Sequence, residues 1–218
     1  PEPGPAQAVL KGLAGPKTPL SQRMAILRRY FRDRLFSWGV RELCGNRSLE
    51  TGLGEFTALA EDILRAGLSI AEQEVKRTGQ GLAVVALGRL GTGELDLGSD
   101  VDLIFIAADR DALGPARALV EKFLHVISGY TRDGTLFPVD TRLRPRGSEG
   151  ELVQTAEGML DYFRTAAEVW EGVTYLKARP LGGDWKLGQD WCTELNSLLG
   201  ERFSEWEAVR SALRQMRQ

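Results

Sequence analysis

Leu87-Gly88-Arg89-Leu90-Gly91-Thr92-Gly93-Glu94-Leu95-Asp96-Leu97-Gly98-Ser99-Asp100-Val101-Asp102-Leu103-Ile104-Phe105 is the stretch on which the fold turns. It continues the apolar run Leu82–Leu87, whose shortness and composition predict a strand buried on both faces. A Gly-rich connection from Gly88 to Gly98 follows, and Val101–Ile106 predicts the next strand. Strand side chains alternate, so Asp100 and Asp102 share one face while Val101, Leu103 and Phe105 take the other. Two neighbouring carboxylates repel each other, and burial adds to that cost unless a cation compensates. An all-oxygen pair suits Mg²⁺, which binds through a few carboxylates plus substrate phosphates. The glycines before Asp100, Gly98 among them, let backbone approach a phosphate closely.

Downstream, Thr135–Leu143 alternates as a third strand. That reading puts Asp140, Arg142 and Arg144 on one face and Val139, Thr141 and Leu143 on the other. An acid followed by two arginines on one face can hold a metal and grip phosphate oxygens, for which the planar guanidinium is suited. The alternative for this segment is an exposed edge strand with paired charges.

Upstream, residues 1–17 hold four of the nine prolines and read as a Pro/Gly-rich linker. Thr18-Pro19 supplies an N-cap and a first helical residue, and Met24, Leu27, Phe31, Leu35 and Trp38 recur at helical spacing up to Cys44-Gly45. Arg28, Arg29, Arg32 and Arg41 fall on the other face, read as solvated surface or as a docking face for an acidic partner or a polyphosphate. Ser48 caps a second helix, closed by Gly79. Pro115–Ser128 predicts a helix with Leu119, Phe123 and Ile127 inward. Beyond Gly147–Gly150 the chain reads as helical over 156–164, 168–178, 185–199 and 204–217, with Trp185, Trp191 and Trp206 at core positions. The expected fold is α+β: a small mixed sheet packed with helices, preceded by two long helices and followed by a C-terminal helical bundle. The expected domains are a linker at 1–17, a catalytic domain with its N-terminal helices at 18–150, and a helical subdomain at 151–218.

Composition narrows the chemistry. A chain of 218 residues has room for one domain, or one with a satellite, and 43% hydrophobic residues suffice for a core. Lys+Arg total 28 against 30 Asp+Glu, a net charge of -2, which argues against a general nucleic-acid binder on bulk charge and leaves a local basic face open. Two cysteines, Cys44 and Cys192, make neither a disulfide framework nor a structural zinc site, in keeping with a reducing cytoplasm. The single histidine, His125, excludes His-clustered metal sites and leaves little room for Ser–His or Cys–His catalysis; among apolar positions it reads as a packing or surface residue. Carboxylates are the chemistry that remains. No apolar stretch approaches the roughly 20 residues of a membrane span. The start Pro1-Glu2-Pro3-Gly4-Pro5 has no signal-peptide pattern, and the chain is expected to be a piece of a longer protein.

The carboxylate pattern resembles the nucleotidyltransferase superfamily that includes DNA polymerase β, with Gly88, Asp100, Asp102 and Asp140 on its motif positions and Arg89 departing from the usual Gly or Ser. Leu87-Gly-Arg-Leu-Gly-Thr-Gly-Glu-Leu, Gly98-Ser-Asp-Val-Asp-Leu-Ile-Phe, Val139-Asp-Thr-Arg-Leu-Arg-Pro-Arg-Gly, Trp170-Glu and Leu176-Lys-Ala-Arg-Pro resemble a narrower family, the bifunctional glutamine synthetase adenylyltransferase/adenylyl-removing enzymes, in which a basic residue after the Gly is usual. Members carry two homologous modules. One removes AMP from a glutamine synthetase tyrosine by phosphorolysis, giving ADP, and the other adds AMP from ATP. The resemblance implies a cytoplasmic, Mg²⁺-dependent enzyme of nitrogen regulation. Its substrates are ATP, or ADP and phosphate; its partners are glutamine synthetase and, through the parent chain, the PII signal protein, with no nucleic acid and no membrane. It implies Asp100, Asp102 and Asp140 as catalytic ligands of two metal ions. Gly88, Arg89, Gly98, Ser99, Arg142 and Arg144 are implied around the phosphates. Thr141 after Asp140, Gly98-Ser99 before Asp100 and the lack of a Pro-Phe-Val-Tyr-like segment lean toward the AMP-transferring module, with the removing module as the alternative. Trp170-Glu171 and Lys177/Arg179 read either as helix packing with an ion pair or as nucleotide contacts. Two further readings stand beside these: a non-catalytic binding or regulatory module, and a nucleotidyltransferase for a small molecule.

Overall fold

A computed structural model describes residues 4–215 apart from Pro16, Asn46 and Glu205. Helices α1 (Pro5–Leu13), α2 (Leu20–Cys44) and α3 (Leu49–Val75) come first. Then follow β1 (Leu82–Ala86), α4 (Gly88–Thr92), β2 (Val101–Ala107), α5 (Arg110–Ser128) and β3 (Val139–Asp140). The chain continues through β4 (Val153–Thr155), α6 (Ala156–Thr165), α7 (Val169–Tyr175), β5 (Arg179–Gly183), α8 (Trp185–Arg202) and α9 (Trp206–Gln215). The expected α+β class holds: among the described residues five short strands form one mixed sheet among helices. Among the described residues no helix is long and apolar enough to cross a membrane.

Two compact units interleave along the chain. Pro1–Thr78, Thr92–Val101 and Ala118–Val139 make the first, and Gly79–Gly91, Asp102–Arg117 and Asp140–Gln218 the second. The sequence reading places its boundaries after 17 and after 150.

In the first unit α1, α2 and α3 pack on one another. Residues read as linker thus include a helix. Pro5 sits at its start, where a missing N–H costs nothing, and Ala6 and Leu10 are buried. Asp62 of α3 accepts a 2.9 Å bond from the Ala6 N–H, satisfying one of the orphan donors at the helix start. Helix α2 runs to Cys44 as expected, but its N-cap is Pro19 rather than Thr18. Ser48 caps α3 by accepting from Thr51 N–H. The helix ends at Lys76, which takes the left-handed conformation (φ 54°), three residues before the glycine expected there.

The arginine face of α2 splits. Arg28 is buried (1% exposed) and donates to the carbonyls of Gly134 (2.8 Å), Met24 (3.3 Å), Val126 (3.1 Å) and Gly129 (2.7 Å). A guanidinium there meets the carbonyl-rich end of α5, where the helix dipole favours a cation. Arg29 and Arg32 stay exposed near Asp133. Arg28 is therefore a structural cation, not part of a solvated or docking face.

In the second unit β1 is antiparallel to both β2 and β5, β4 runs parallel to β2, and the path order is β3-β2-β1-β5. Ala83, Val85, Leu87, Ile104 and Ile106 form one core with Met159, Leu160 and Phe163 of α6, Tyr175 of α7, and Trp191, Leu195 and Leu199 of α8. Trp191 is thus a core residue and Trp185 half-buried; the Trp206 side chain lies outside the described residues. The helix expected over 168–178 ends at Tyr175, and β5 occupies residues left between the helices expected at 168–178 and 185–199; its Pro180 sits on an edge strand, where the lost N–H is tolerated. Helix α5 begins at Arg110, ahead of the expected Pro115, because Asp109 accepts from the Ala112 N–H and starts it there. Leu119, Phe123 and Ile127 are buried, while His125 is exposed.

Candidate active site

In the second unit the Gly-rich connection opens as the single-turn helix α4 directly after β1. Gly88 has φ +54°, a region open to glycine and costly for other residues. A Cβ on Gly88 would sit 2.9 Å from Cγ of Asp102 and closer still to its Oδ2. The Asp102 carboxylate therefore lies over the bare Cα of Gly88, a cradle any side chain would fill. The Leu87 N–H donates to the Asp102 carbonyl at 3.0 Å, tying the end of β1 to the head of β2. A second glycine, Gly91, lies so close to the Lys177 carbonyl that a Cβ would collide with it. Arg179 donates to the carbonyls of Leu90 (2.7 Å) and Gly91 (2.9 Å). Arg179 thus anchors the far end of the α4 turn, so the Lys-Ala-Arg-Pro stretch shapes the loop that carries Gly88 and Arg89. Arg89 itself is exposed.

Asp140 stands at the end of β3, next to β2 in the sheet order. The third strand is far shorter than expected. After Asp140 the chain turns, so Arg142 and Arg144 do not share a strand face with it. Arg142 folds back instead: its backbone N–H donates to Asp140 Oδ1 at 2.7 Å, and its guanidinium binds both carboxylate oxygens, the closest contact 2.5 Å to Oδ2. That guanidinium holds the Asp140 carboxyl below the usual aspartate range, so it is ionised at neutral pH. Arg144 is committed to backbone, donating to the carbonyls of Gly150 (2.9 Å), Thr141 (2.7 Å) and Ser148 (3.1 Å). It staples the 141–150 turn. Arg146, which the sequence reading passed over, takes φ +65° in that turn, and its guanidinium makes no hydrogen bond or ion pair among the described residues.

Beside this turn the second unit has a cleft of about 350 Å³ lined by Arg142, Arg146, Tyr162, Glu168, Trp170 and Glu171, among others. Glu168 and Glu171 form a capping box at the start of α7. Tyr162 donates to Glu171 (2.7 Å to Oε1), and Trp170 Nε1 donates to Glu168 Oε2 at 2.8 Å. Burial, with Glu171 beside it, pushes the Tyr162 phenol up to about 12. Trp170-Glu171 thus caps a helix and lines a cleft.

Gly98, Ser99 and Asp100 belong to the first unit. Asp96 and Ser99 close a turn there, with the Ser99 N–H on the Asp96 carbonyl (3.2 Å) and its hydroxyl on the Asp96 carboxylate. Gly98 has φ +95°, and the exposed Asp100 leads into β2. Among the described residues no group of three or more His, Cys, Asp or Glu side chains is gathered as a metal cage. Mg²⁺ needs less than that, since one or two carboxylates plus substrate phosphates satisfy it. The ionised Asp140 and the Asp102 carboxylate over Gly88 are hard oxygen donors on neighbouring strands, and they fit such an ion.

Residues 6–194 match the family model of glutamate-ammonia ligase adenylyltransferase. The chain belongs to that family. It is 36% identical over 207 residues to a bifunctional glutamine synthetase adenylyltransferase/adenylyl-removing enzyme of Streptomyces avermitilis, covering 91% of this chain and 20% of that one. The enzyme of the same description from Streptomyces coelicolor is 34% identical over 210 residues, with coverage of 91% and 20%. That of Xanthomonas campestris pv. campestris is 34% identical over 212 residues, with coverage of 88% and 22%. The chain spans about a fifth of the length of these curated relatives.

Proposed function

We propose that the chain is one nucleotidyltransferase module that transfers AMP from ATP to a tyrosine of glutamine synthetase. The observation that carries this reading is the placement of Asp102 at the head of β2, over the bare Cα of Gly88, with Asp140 on the neighbouring strand. The names of the relatives support the substrate. The proposed module is cytoplasmic and belongs to a longer enzyme of nitrogen regulation, which the PII signal protein reaches through the rest of the chain.

Asp100, Asp102 and Asp140 are the residues that would hold Mg²⁺. When bound, the ion would supply charge stabilisation at the entering and leaving oxygens of an in-line displacement. The tyrosine oxygen forms a bond to the α-phosphorus as the bond to the pyrophosphate oxygen breaks, and the hydroxyl proton is released to water. Asp140, ionised at neutral pH, is the carboxylate assigned beside the attacking oxygen. The Gly88 backbone N–H serves the phosphate oxygens, with Arg89 and Arg142 countering charge, while Ser99, whose N–H and hydroxyl are turned onto Asp96, shapes the turn ahead of Asp100. Arg142 must exchange its hold on Asp140 for phosphate to do so. Arg144, spent on the 141–150 turn, acts by shaping that turn.

The test supplies the chain with glutamine synthetase, Mg²⁺ and labelled ATP, and in parallel with adenylylated synthetase and phosphate. Labelled synthetase is the expected product, and it is lost in Asp100→Asn with Asp102→Asn. ADP from the second reaction alone assigns the phosphorolytic direction instead. Survival of activity in the double variant at saturating Mg²⁺ overturns the assignment of the aspartates. The absence of Mg²⁺-linked nucleotide binding would leave a non-catalytic binding module.

A further inference from the structure

We propose that the cleft beside the 141–150 turn seats the purine ring of the nucleotide, with Trp170 as the stacking surface and Arg146 reaching the phosphate side. The assignment rests on the nucleotidyltransferase reading above. It adds which residues recognise the base, a task the aspartates and glycines cannot perform.

Four features of the second unit support it. The cleft adjoins the candidate site, because Arg142 both lines it and holds Asp140. A ligand whose α-phosphate lies at Asp140 has its sugar and base pass into this space. The cleft volume of about 350 Å³ is within the range of small-molecule sites. Its wall carries a large aromatic that is 41% exposed, although an indole is costly to leave in water. The plane of that indole is fixed by the bond from Nε1 to Glu168, and Glu168 is itself locked by the capping box with Glu171. A plate preorganised in this way loses little entropy when a flat ring stacks on it.

The same cleft is also lined by arginines. Arg142 is held by Asp140, but the Arg146 guanidinium has no hydrogen bond or ion pair among the described residues. Its backbone is kept at φ +65°, a conformation that costs a non-glycine residue and clusters at ligand sites. An aromatic plate and a guanidinium lining one cleft match an aromatic base joined to an anionic tail. Inorganic polyphosphate would use only the guanidinium.

The experiment measures equilibrium binding of ATP and of inorganic tripolyphosphate, each with Mg²⁺, to the full chain and to Trp170→Ala and Trp170→Phe. Trp170→Ala should weaken ATP about tenfold, equivalent to about 1.4 kcal/mol, and leave tripolyphosphate unchanged. Trp170→Phe, which keeps a stacking face, should recover most of the loss. Arg146→Ala should weaken both ligands. Wild-type Trp emission should be quenched by ATP but not by tripolyphosphate, a readout that needs no variant to fold. Equal loss of both ligands in Trp170→Ala, or no loss of ATP, overturns the base site. A raised KM for glutamine synthetase with unchanged ATP affinity also overturns it, giving the cleft to the acceptor tyrosine. If neither ligand binds the wild-type chain, the nucleotidyltransferase reading itself fails.

Discussion

Gly88→Ala separates backbone strain from displacement of a carboxylate, and Gly93→Ala is its control. Both glycines have positive φ, +54° and +79°. An alanine in that region costs about 1–2 kcal/mol at either position. At Gly93 an added Cβ meets nothing within 4 Å, so strain is the whole effect. At Gly88 it lies 2.9 Å from the Asp102 Cγ, where ordinary contact begins at 3.4 Å, and its nearest neighbour is the end of a side chain that can turn away. Stability should therefore fall somewhat further in Gly88→Ala than in Gly93→Ala, and only Gly88→Ala moves the Asp102 carboxylate, by on the order of 1 Å. A misplacement of that size costs about 100-fold in rate. Urea unfolding gives the first quantity, and labelled AMP transfer to glutamine synthetase under saturating Mg²⁺ gives the second. In an Asp102→Ala background the collision disappears, so Gly88→Ala should then cost no more stability than Gly93→Ala. Equal AMP transfer by the two glycine variants would refute the claim that Gly88 is kept bare to position Asp102.

Four further outcomes are expected. Arg28→Met orphans the buried carbonyls of Val126 and Gly129 and should cost about 3–5 kcal/mol, against about 0.5 kcal/mol or less for the exposed Arg29→Ala; chemical denaturation compares them. Asp140 has a depressed pKa, so the Arg142–Asp140 contribution is complete above the unfolded aspartate value of about 4 and is lost as pH falls through the lower native one. With Arg142 largely exposed it should amount to at most about 1 kcal/mol, and a wild-type advantage over Arg142→Ala that persisted undiminished at pH 2 would contradict it. Tyr162→Phe should remove a component titrating at about 12 from the tyrosinate absorbance curve, since burial and Glu171 hold that phenol up. Asp62→Ala removes the acceptor of the Ala6 N–H, and amide hydrogen exchange in α1 should rise while that in α3 stays protected.

Where one face of an element is buried, its residues announce it. Strands β1 and β2 are nearly unbroken apolar runs, and both were legible to within a residue. The stripe of α2 is legible too, yet charge alone points Arg28 outward although it is four residues from Met24 and three from Phe31, both buried. Helical spacing placed it at the margin of the buried stripe. What it could not give was the set of carbonyls of Val126, Gly129 and Gly134 that make burial of a guanidinium tolerable, about a hundred residues away. Strand β5 was missed for a related reason. Arg179-Pro180-Leu181-Gly182-Gly183 carries the residues that punctuate chains, and it is a strand because β1 offers it an edge.

The turn after Asp140 shows why alternation alone misassigned the arginines. Period two is shared by a strand and by any short segment whose charged residues happen to fall on alternate positions, and Pro145-Arg146-Gly147 already argues for a turn. Once the chain turns, the three arginines have separate fates. Arg144 is consumed by backbone carbonyls, Arg142 neutralises the carboxylate two residues before it, and Arg146 is presented to the cleft without a partner among the described residues. A flat strand would have put Arg142 and Arg144 side by side, where two guanidinium groups repel unless an anion is already bound. The turn avoids that cost by giving each charge its own environment. It also makes phosphate and Asp140 competitors for Arg142, so an anion arriving in the cleft would free the carboxylate for a cation.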